Sequence, residues 1–316
     1  MKLVSMKRAW AAWDEFWFAP KPLINIAAFR LVLCFTLFTM YLSRQPDVRL
    51  FFMNEGLLPE SQARSIMPLF YQPPFEWHFW SDAWAPSLHL FLIFGLLLLG
   101  LGIGGRVLNA LVWVVSIGFL QRNYSVAFGA DLIGNIFLFL MIGMNSCERL
   151  SLLNVLKPEG FKHRVLSSDL LTGVFYCMVQ IQLCVIYMYT GFEKFRGASW
   201  WDGTALWTVM ANSQMVVADM TWLRNVPLVV VGLAFATILF EIYFGVLIWI
   251  RKFRPVLMIV GACFHLGIGL IMALFSFSFV MLAPYFLWME PQRIEEIRKK
   301  IPASFFDRRR GSKTKN

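Results

Sequence analysis

The chain has 316 residues, 58% of them hydrophobic and only 15% charged, with a mean hydropathy of +0.61. A soluble domain carries about 25% charged and 45–50% apolar residues, and a transmembrane barrel would show alternating segments of roughly ten residues; the long unbroken apolar runs exclude both. The net charge of +10 lies in short loops beside apolar runs and in the tail after Pro291, which is the placement of topology-setting charge rather than of a nucleic-acid surface.

The expected fold is therefore all-α: a polytopic helical membrane protein of about eight transmembrane helices, with both termini cytoplasmic. Residues 1–22 read as a cytoplasmic, interfacial amphipathic helix, because Trp10, Trp13 and Trp17 recur on one helical face with charges behind them. Pro20 and Pro22 end it. No cleavable signal peptide is expected: the first strong apolar run begins near Leu23 and should remain as an anchor.

Residues 23–290 read as the transmembrane domain. The first span covers 23–42, with Arg30 its one charge. A long aromatic connection over 43–85 follows, with Pro68, Pro73 and Pro74 late in it, and reads as a platform on the membrane surface. Spans at 87–104 and 106–120 form a hairpin turning at Gly104-Gly105. A span over 128–146 opens with Asp131 and Asn135, four apart on one helical face. A basic loop with Arg149, Lys157, Lys162 and Arg164 leads to a span over 169–190.

That span is expected to end at Gly191, placing Glu193, Lys194 and Arg196 just outside the membrane, ahead of Trp200, Trp201 and an Asp-Gly turn. A short surface segment over 204–218 and a span over 227–250, with Glu241 inside, come next. The apolar run 255–289 exceeds the length of about 20 residues that one span needs, so it should split near Leu274. With that split and a cytoplasmic N-terminus, most of the 29 Lys and Arg residues fall on the inner side, as the positive-inside rule requires. Residues 291–316 read as a basic, polar, partly disordered cytoplasmic tail.

Chemistry narrows to a few ionisable groups. The five cysteines include no CxxC pair, and the four histidines (His78, His89, His163, His265) have no metal-ligand spacing, so neither a disulfide framework nor a metal is expected. No Walker motif, dinucleotide fingerprint or nucleophile elbow is present. No internal repeat is visible, which weighs against a secondary transporter.

An isolated intramembrane charge costs roughly 2.5–3.5 kcal/mol. Arg30 and Glu241, matched in depth in the inner half, are therefore expected to pair as a structural link. Asp131, Lys194 and His265 fall at the centre or in the outer half. A desolvated lysine can act as a neutral base, and a membrane histidine as a base or hydrogen-bond donor. Each alone is more often an anchor or a helix–helix bond.

A set of motifs then stands in order: Phe29-Arg30; Asn54-Glu55-Gly56 with Leu58-Pro59; Arg122-Asn123-x-Ser125; Gly129-Ala130-Asp131; Gly191-x-x-Lys194 with Trp200 or Trp201 and Gly203-x-Ala205; Phe264-His265; and Ser276-Phe277-x-Phe279-Val280-Met281-Leu282-Ala283. Over about residues 20–290 this resembles the HTTM domain, the membrane domain shared with vitamin K-dependent gamma-carboxylase. In the carboxylase branch a lysine deprotonates reduced vitamin K, and the resulting oxygenated base removes a glutamate γ-proton so that CO2 can add.

The resemblance implies that Lys194 is the base and His265 a residue of the active centre. Tyr124, Asn123, Asp131 and Trp201 would surround the substrate, and a reduced quinone would be the cofactor. Partners would be the lipid bilayer and a peptide or protein substrate. Two departures stand out: Tyr124 occupies the place of a carboxylase histidine, and the large extra-membrane substrate-holding part is lacking. Two readings follow, an enzyme acting on a quinol- or lipid-like molecule and a non-catalytic membrane factor for maturation or export of a peptide.

Overall fold

The computed structural model describes residues 2–66, 82–155 and 164–300. Ten longer helices carry the architecture: α1 (Lys2–Phe18), α2 (Leu23–Arg44), α3 (Ala85–Gly100), α4 (Gly105–Arg122), α5 (Gly129–Ile142), α6 (Leu170–Arg196), α7 (Pro227–Leu247), α8 (Arg254–Met272), α9 (Phe275–Leu282) and α10 (Pro291–Lys300). The one described sheet is a two-residue antiparallel pair, Lys21–Pro22 against Leu166–Ser167.

Among the described residues four stretches are long and apolar enough to cross a membrane: Leu23–Phe52, Leu170–Arg196, Pro227–Leu247 and Arg254–Met272. Ala85–Gly100, Gly129–Ile142 and Phe275–Trp288 are shorter apolar helices. A helix satisfies its backbone internally, which is what a bilayer demands. This is a helical membrane protein.

The helices differ in how far they are enclosed. The apolar window of the stretch containing α2 is 72% buried within the protein, and that of α8 only 17%. So α2 is the central post. It packs against α3, α5 and α9, with Phe29 edge-on to Phe137 at 6.0 Å. In contrast, α8 fully buries only Gly261, His265 and Gly269 and exposes an apolar face that includes Val256, Ile259, Val260, Leu266 and Leu270.

Turns occur where the sequence requires them. Between α3 and α4 the chain reverses through Gly102, Gly104 and Gly105, all at positive φ, a conformation open to glycine at little cost. The run 255–289 breaks at Ala273, which sits at φ 55°. Beyond it α9 folds back along α8: Gly269 lies beside Phe275 and Ser278, and Gly261 beside Tyr285.

Contacts between loops sort the helix ends into two groups. At one end α1 lies on α6, where the Cys177 thiol donates to the Phe16 carbonyl. There Trp249 also meets Trp288 at 4.5 Å, and α10 docks Ile294 against Ile24 and Ala28. The start of the expected tail is thus folded. At the other end Asn123 donates to the Phe51 carbonyl, and the Val217 amide to that of Ile271. The 43–85 connection is described only in part. Pro68, Pro73 and Pro74, like Lys157 and Lys162 of the basic loop and the tail beyond Lys300, lie outside the described residues.

Two expectations are corrected. The helix does not end at Gly191; α6 runs on to Arg196, so Lys194 stands on its last turns. A Cβ at Gly191 would meet Ile242 Cγ1 at 2.8 Å, the Ile242 amide nitrogen at 3.0 Å and Glu241 Cβ at 3.1 Å. Gly191 is therefore a close-approach residue that lets α6 and α7 touch, rather than an exit from the membrane.

The Arg30–Glu241 pair does not form either. Arg30 is fully buried and donates to the carbonyls of Ser146, Leu150 (2.5 Å), Arg149 (3.1 Å) and Gly100 (3.4 Å). Gly100 ends α3, and the other three form the turn after α5. Helix ends leave carbonyls without partners and carry partial negative charge, so neutral dipoles take the guanidinium. Matching depth does not settle which helices face each other.

Candidate functional site

Glu241, 14 residues into α7, meets Lys194 from α6. Lys194 Nζ donates to both carboxylate oxygens, at 2.7 and 3.0 Å. The lysine side chain is 23% exposed and the glutamate 5%. Lys194 also lies 5.5 Å from the Trp200 ring centroid, a cation–π contact. Trp201, the expected substrate contact, instead donates to the Phe195 carbonyl and is largely exposed.

Two turns back along α6, on the same face, stands Tyr187. Its hydroxyl bonds His265 Nε2 at 2.6 Å and the Tyr285 hydroxyl at 2.8 Å. The Ser278 hydroxyl donates to the His265 carbonyl, tying α9 to α8 at that level. Phe240 and Phe244, which flank Glu241 on α7, both touch the Tyr187 ring, at 5.4 and 4.3 Å. The Lys194–Glu241 pair and the Tyr187–His265–Tyr285 chain thus lie two helical turns apart along α6, with Phe240 and Phe244 of α7 packed on Tyr187 between them.

Asp131 belongs to a neighbouring cluster. Arg44 donates to both its carboxylate oxygens, at 2.6 and 2.9 Å, and its Oδ2 accepts from the Phe128 amide. Asn135 donates to the Asp131 carbonyl and accepts from Ser116. Asn123 is buried and bonded to the Phe51 carbonyl and the Ser125 amide, and Tyr124 lies in the turn between. The two clusters meet through Phe277, which packs on Gly129 and lies 5.7 Å from the His265 ring.

Lys194 and His265 therefore lie near one face of α6 without touching, while Asp131 ties α2 to α5 and Asn123 ties the end of α4 to the Val48–Phe52 segment. Sequence reasoning missed Tyr187, Tyr285, Ser278 and Arg44. Only Tyr187 carried a signal, its spacing of seven from Lys194. A cavity of about 450 Å³ lies at the opposite end, lined by Arg106, Asn145, Cys147, Glu148 and Arg164 among others, and touches neither Lys194 nor His265. Among the described residues no His, Cys, Asp and Glu cluster could hold a metal ion.

Apolar helices enclosing a buried, hydrogen-bonded group of ionisable side chains define the class, a helical membrane protein with polar chemistry inside its bundle. The family model for the HTTM domain matches residues 75–292, most of the chain, and the protein belongs to that family. The match takes in Lys194, Glu241, His265 and Tyr285, and leaves α2 with Arg30 outside it. No curated protein and no solved structure matches the chain.

Proposed function

We propose that this HTTM-family protein is a multi-pass enzyme acting on a quinol-like or lipid-like molecule, with Lys194 as its base. The observation that carries this reading is the Lys194–Glu241 pair on the same face of α6 as the Tyr187–His265–Tyr285 chain, two turns away, in an apolar bundle. A lysine must be neutral to accept a proton. In a site closed to water, transfer of the ammonium proton to Glu241 leaves two uncharged groups and a free amine lone pair, avoiding the cost of two buried charges. The amine then takes the substrate hydroxyl proton. In this reading a bilayer-soluble substrate reaches the site along α8, whose apolar window is the least buried of the candidate spans. A reduced quinone of vitamin K type is the substrate class, or cofactor, that the family resemblance favours.

In the same reading the eight helical rods α2–α8 and α9 with its following turn each cross the bilayer. That places the Arg30 end and both termini inside, and the Lys194 end outside. In a bacterium the membrane would be the inner one. The test is quinol-dependent oxygen uptake by the purified protein. Lys194→Ala abolishes it if the reading holds, and unchanged uptake overturns the base role. A second reading, a non-catalytic factor for a peptide partner, is favoured by the completeness of the ion pair, in which both Glu241 oxygens are occupied without any ligand. It requires that Lys194→Arg, which keeps the charge, preserve function in a maturation or export assay.

A further inference from the structure

His265 is 1% exposed, and its second ring nitrogen, Nδ1, has no hydrogen-bond partner. The two tyrosines decide what that nitrogen is. Tyr285 has one hydroxyl hydrogen, and the Tyr187 oxygen is its only hydrogen-bond partner among the described residues. Tyr187 likewise has one hydrogen and two neighbours, Tyr285 and His265 Nε2.

Three arrangements follow from that count. In the first, Tyr285 donates to Tyr187, Tyr187 donates to His265 Nε2, and the imidazole proton sits on Nδ1; only the Nδ1–H is left without a partner. In the second, His265 donates from Nε2 to Tyr187 and Tyr187 donates to Tyr285. That leaves both the Tyr285 hydrogen and the Nδ1 lone pair unmatched. In the third, the Tyr187 oxygen accepts from both neighbours, which leaves the Tyr187 hydrogen and the Nδ1 lone pair unmatched. Each buried unmatched polar group is costly, so the first arrangement wins. The chain of hydroxyls is also polarised in one direction, which strengthens each bond. Gly261 makes this possible, because a Cβ there would lie 1.9 Å from the Tyr285 hydroxyl.

We infer that Tyr285 and Tyr187 are positioning residues that hold His265 as the neutral Nδ1–H tautomer, a buried donor awaiting an oxygen acceptor on an apolar molecule. The rings of Phe264 and Phe277, 5.2 and 5.7 Å from the imidazole, form the apolar surroundings. Such a molecule presents a carbonyl or phenolate oxygen on an aromatic or prenyl body. Its identity as a quinone rests on the reading above; the tautomer does not. His265 then serves as a hydrogen-bond donor to developing negative charge, with Lys194 left as the base.

The tautomer is measurable by nitrogen-15 NMR of histidine-labelled protein in detergent micelles or nanodiscs, with the His265 signals assigned by their loss in His265→Gln. The ligand-free wild type is expected to show the bonded proton on Nδ1; a proton on Nε2 overturns the inference without any variant being needed. Tyr187→Phe should release the constraint and mix the two tautomers, and Tyr285→Phe should do so to a smaller extent. If Tyr187→Phe folds and leaves the spectrum unchanged, the positioning role fails. Adding 2-methyl-1,4-naphthoquinone should shift the Nδ1 resonance, whereas 2-methylnaphthalene, which lacks the oxygens, should not. If the tautomer is as stated and neither compound acts, the quinone reading is at fault and the donor stands.

Discussion

At the scale of single residues, the ion pair of Lys194 and Glu241 is the most consequential interaction. Its members are unequal, because the carboxylate is more buried than the ammonium. Removing the lysine strands a charge in the bundle, whereas a stranded lysine can swing its long stem toward water. Lys194→Ala is therefore expected to destabilise more than Glu241→Ala, and the double variant less than the sum of the two. The coupling energy should be about 1–3 kcal/mol by thermal or denaturant unfolding in detergent; strict additivity would remove the pair from the stabilising interactions.

The partner of Lys194 was not legible in the sequence for a geometric reason. Hydropathy yields one coordinate, the depth along the membrane normal, and depth alone would join Glu241 to Arg30. The rotation of each helix about its axis is set by close packing such as that at Gly191. Nothing in a single sequence states which helix Gly191 will touch. The phenols of Tyr187 and Tyr285 were hidden in another way, since a tyrosine in an apolar run reads as core until the ring it meets is known.

At the scale of elements, much more was legible. The turn at Gly104-Gly105 and the break after Met272 follow from glycine chemistry and from an apolar run too long for one helix. The end of α6 was missed because Gly191 resembles a terminator, while the helix continues through it. That interpretation has a direct test: Gly191→Ala pushes against the Ile242 backbone nitrogen, which cannot rotate away. A loss of roughly 1–3 kcal/mol is expected, together with a weaker Lys194–Glu241 coupling in the same cycle.

The other end of α6 is set by Asp169, whose side chain accepts from the Thr172 amide at 3.0 Å and its hydroxyl at 2.7 Å and meets Arg106. Burial pushes the Asp169 carboxyl up, but the Thr172 and Arg106 hydrogen bonds outweigh it and hold it below the ordinary carboxylate value. A depressed folded-state value means that the stabilisation is complete above the unfolded value, about 3.9, and is lost as pH falls through the lower folded value. Asp169→Asn should be less stable than wild type at pH 7, by about 1 kcal/mol for the lost cap, and melt at a lower temperature. The gap should close as the pH is taken below about 4; a gap independent of pH would assign the effect to packing.

At the scale of the whole molecule, the contacts sort helix ends into two opposed groups, and the proposed topology orients them by the positive-inside rule. Asp219 lies in the connection between α6 and α7, and Arg293 on α10. In a background without the native cysteines, Asp219→Cys and Arg293→Cys should react with a membrane-impermeant maleimide from opposite sides of sealed vesicles. Labelling from one side would break the eight-span arrangement. The molecule is also graded in enclosure, from α2 at the centre to α8 at the lipid boundary. His265 stands on the least enclosed helix, α8, and meets the interior through Tyr187 and Phe277, while Tyr285, in the turn after α9, stacks on Phe244 within the core.

Arg30 carries a further consequence, for biogenesis. Three of its four carbonyl partners belong to Ser146, Arg149 and Leu150, more than a hundred positions later in the chain. When the ribosome delivers α2 to the membrane, those acceptors have not been made. The nascent segment must hold a guanidinium against the insertion machinery or the headgroups until α5 and the turn behind it emerge. Assembly around Arg30 is thereby ordered in time: its guanidinium cannot gain its full set of acceptors until residues 146–150 have been synthesised, and α9 packs on the central post later still.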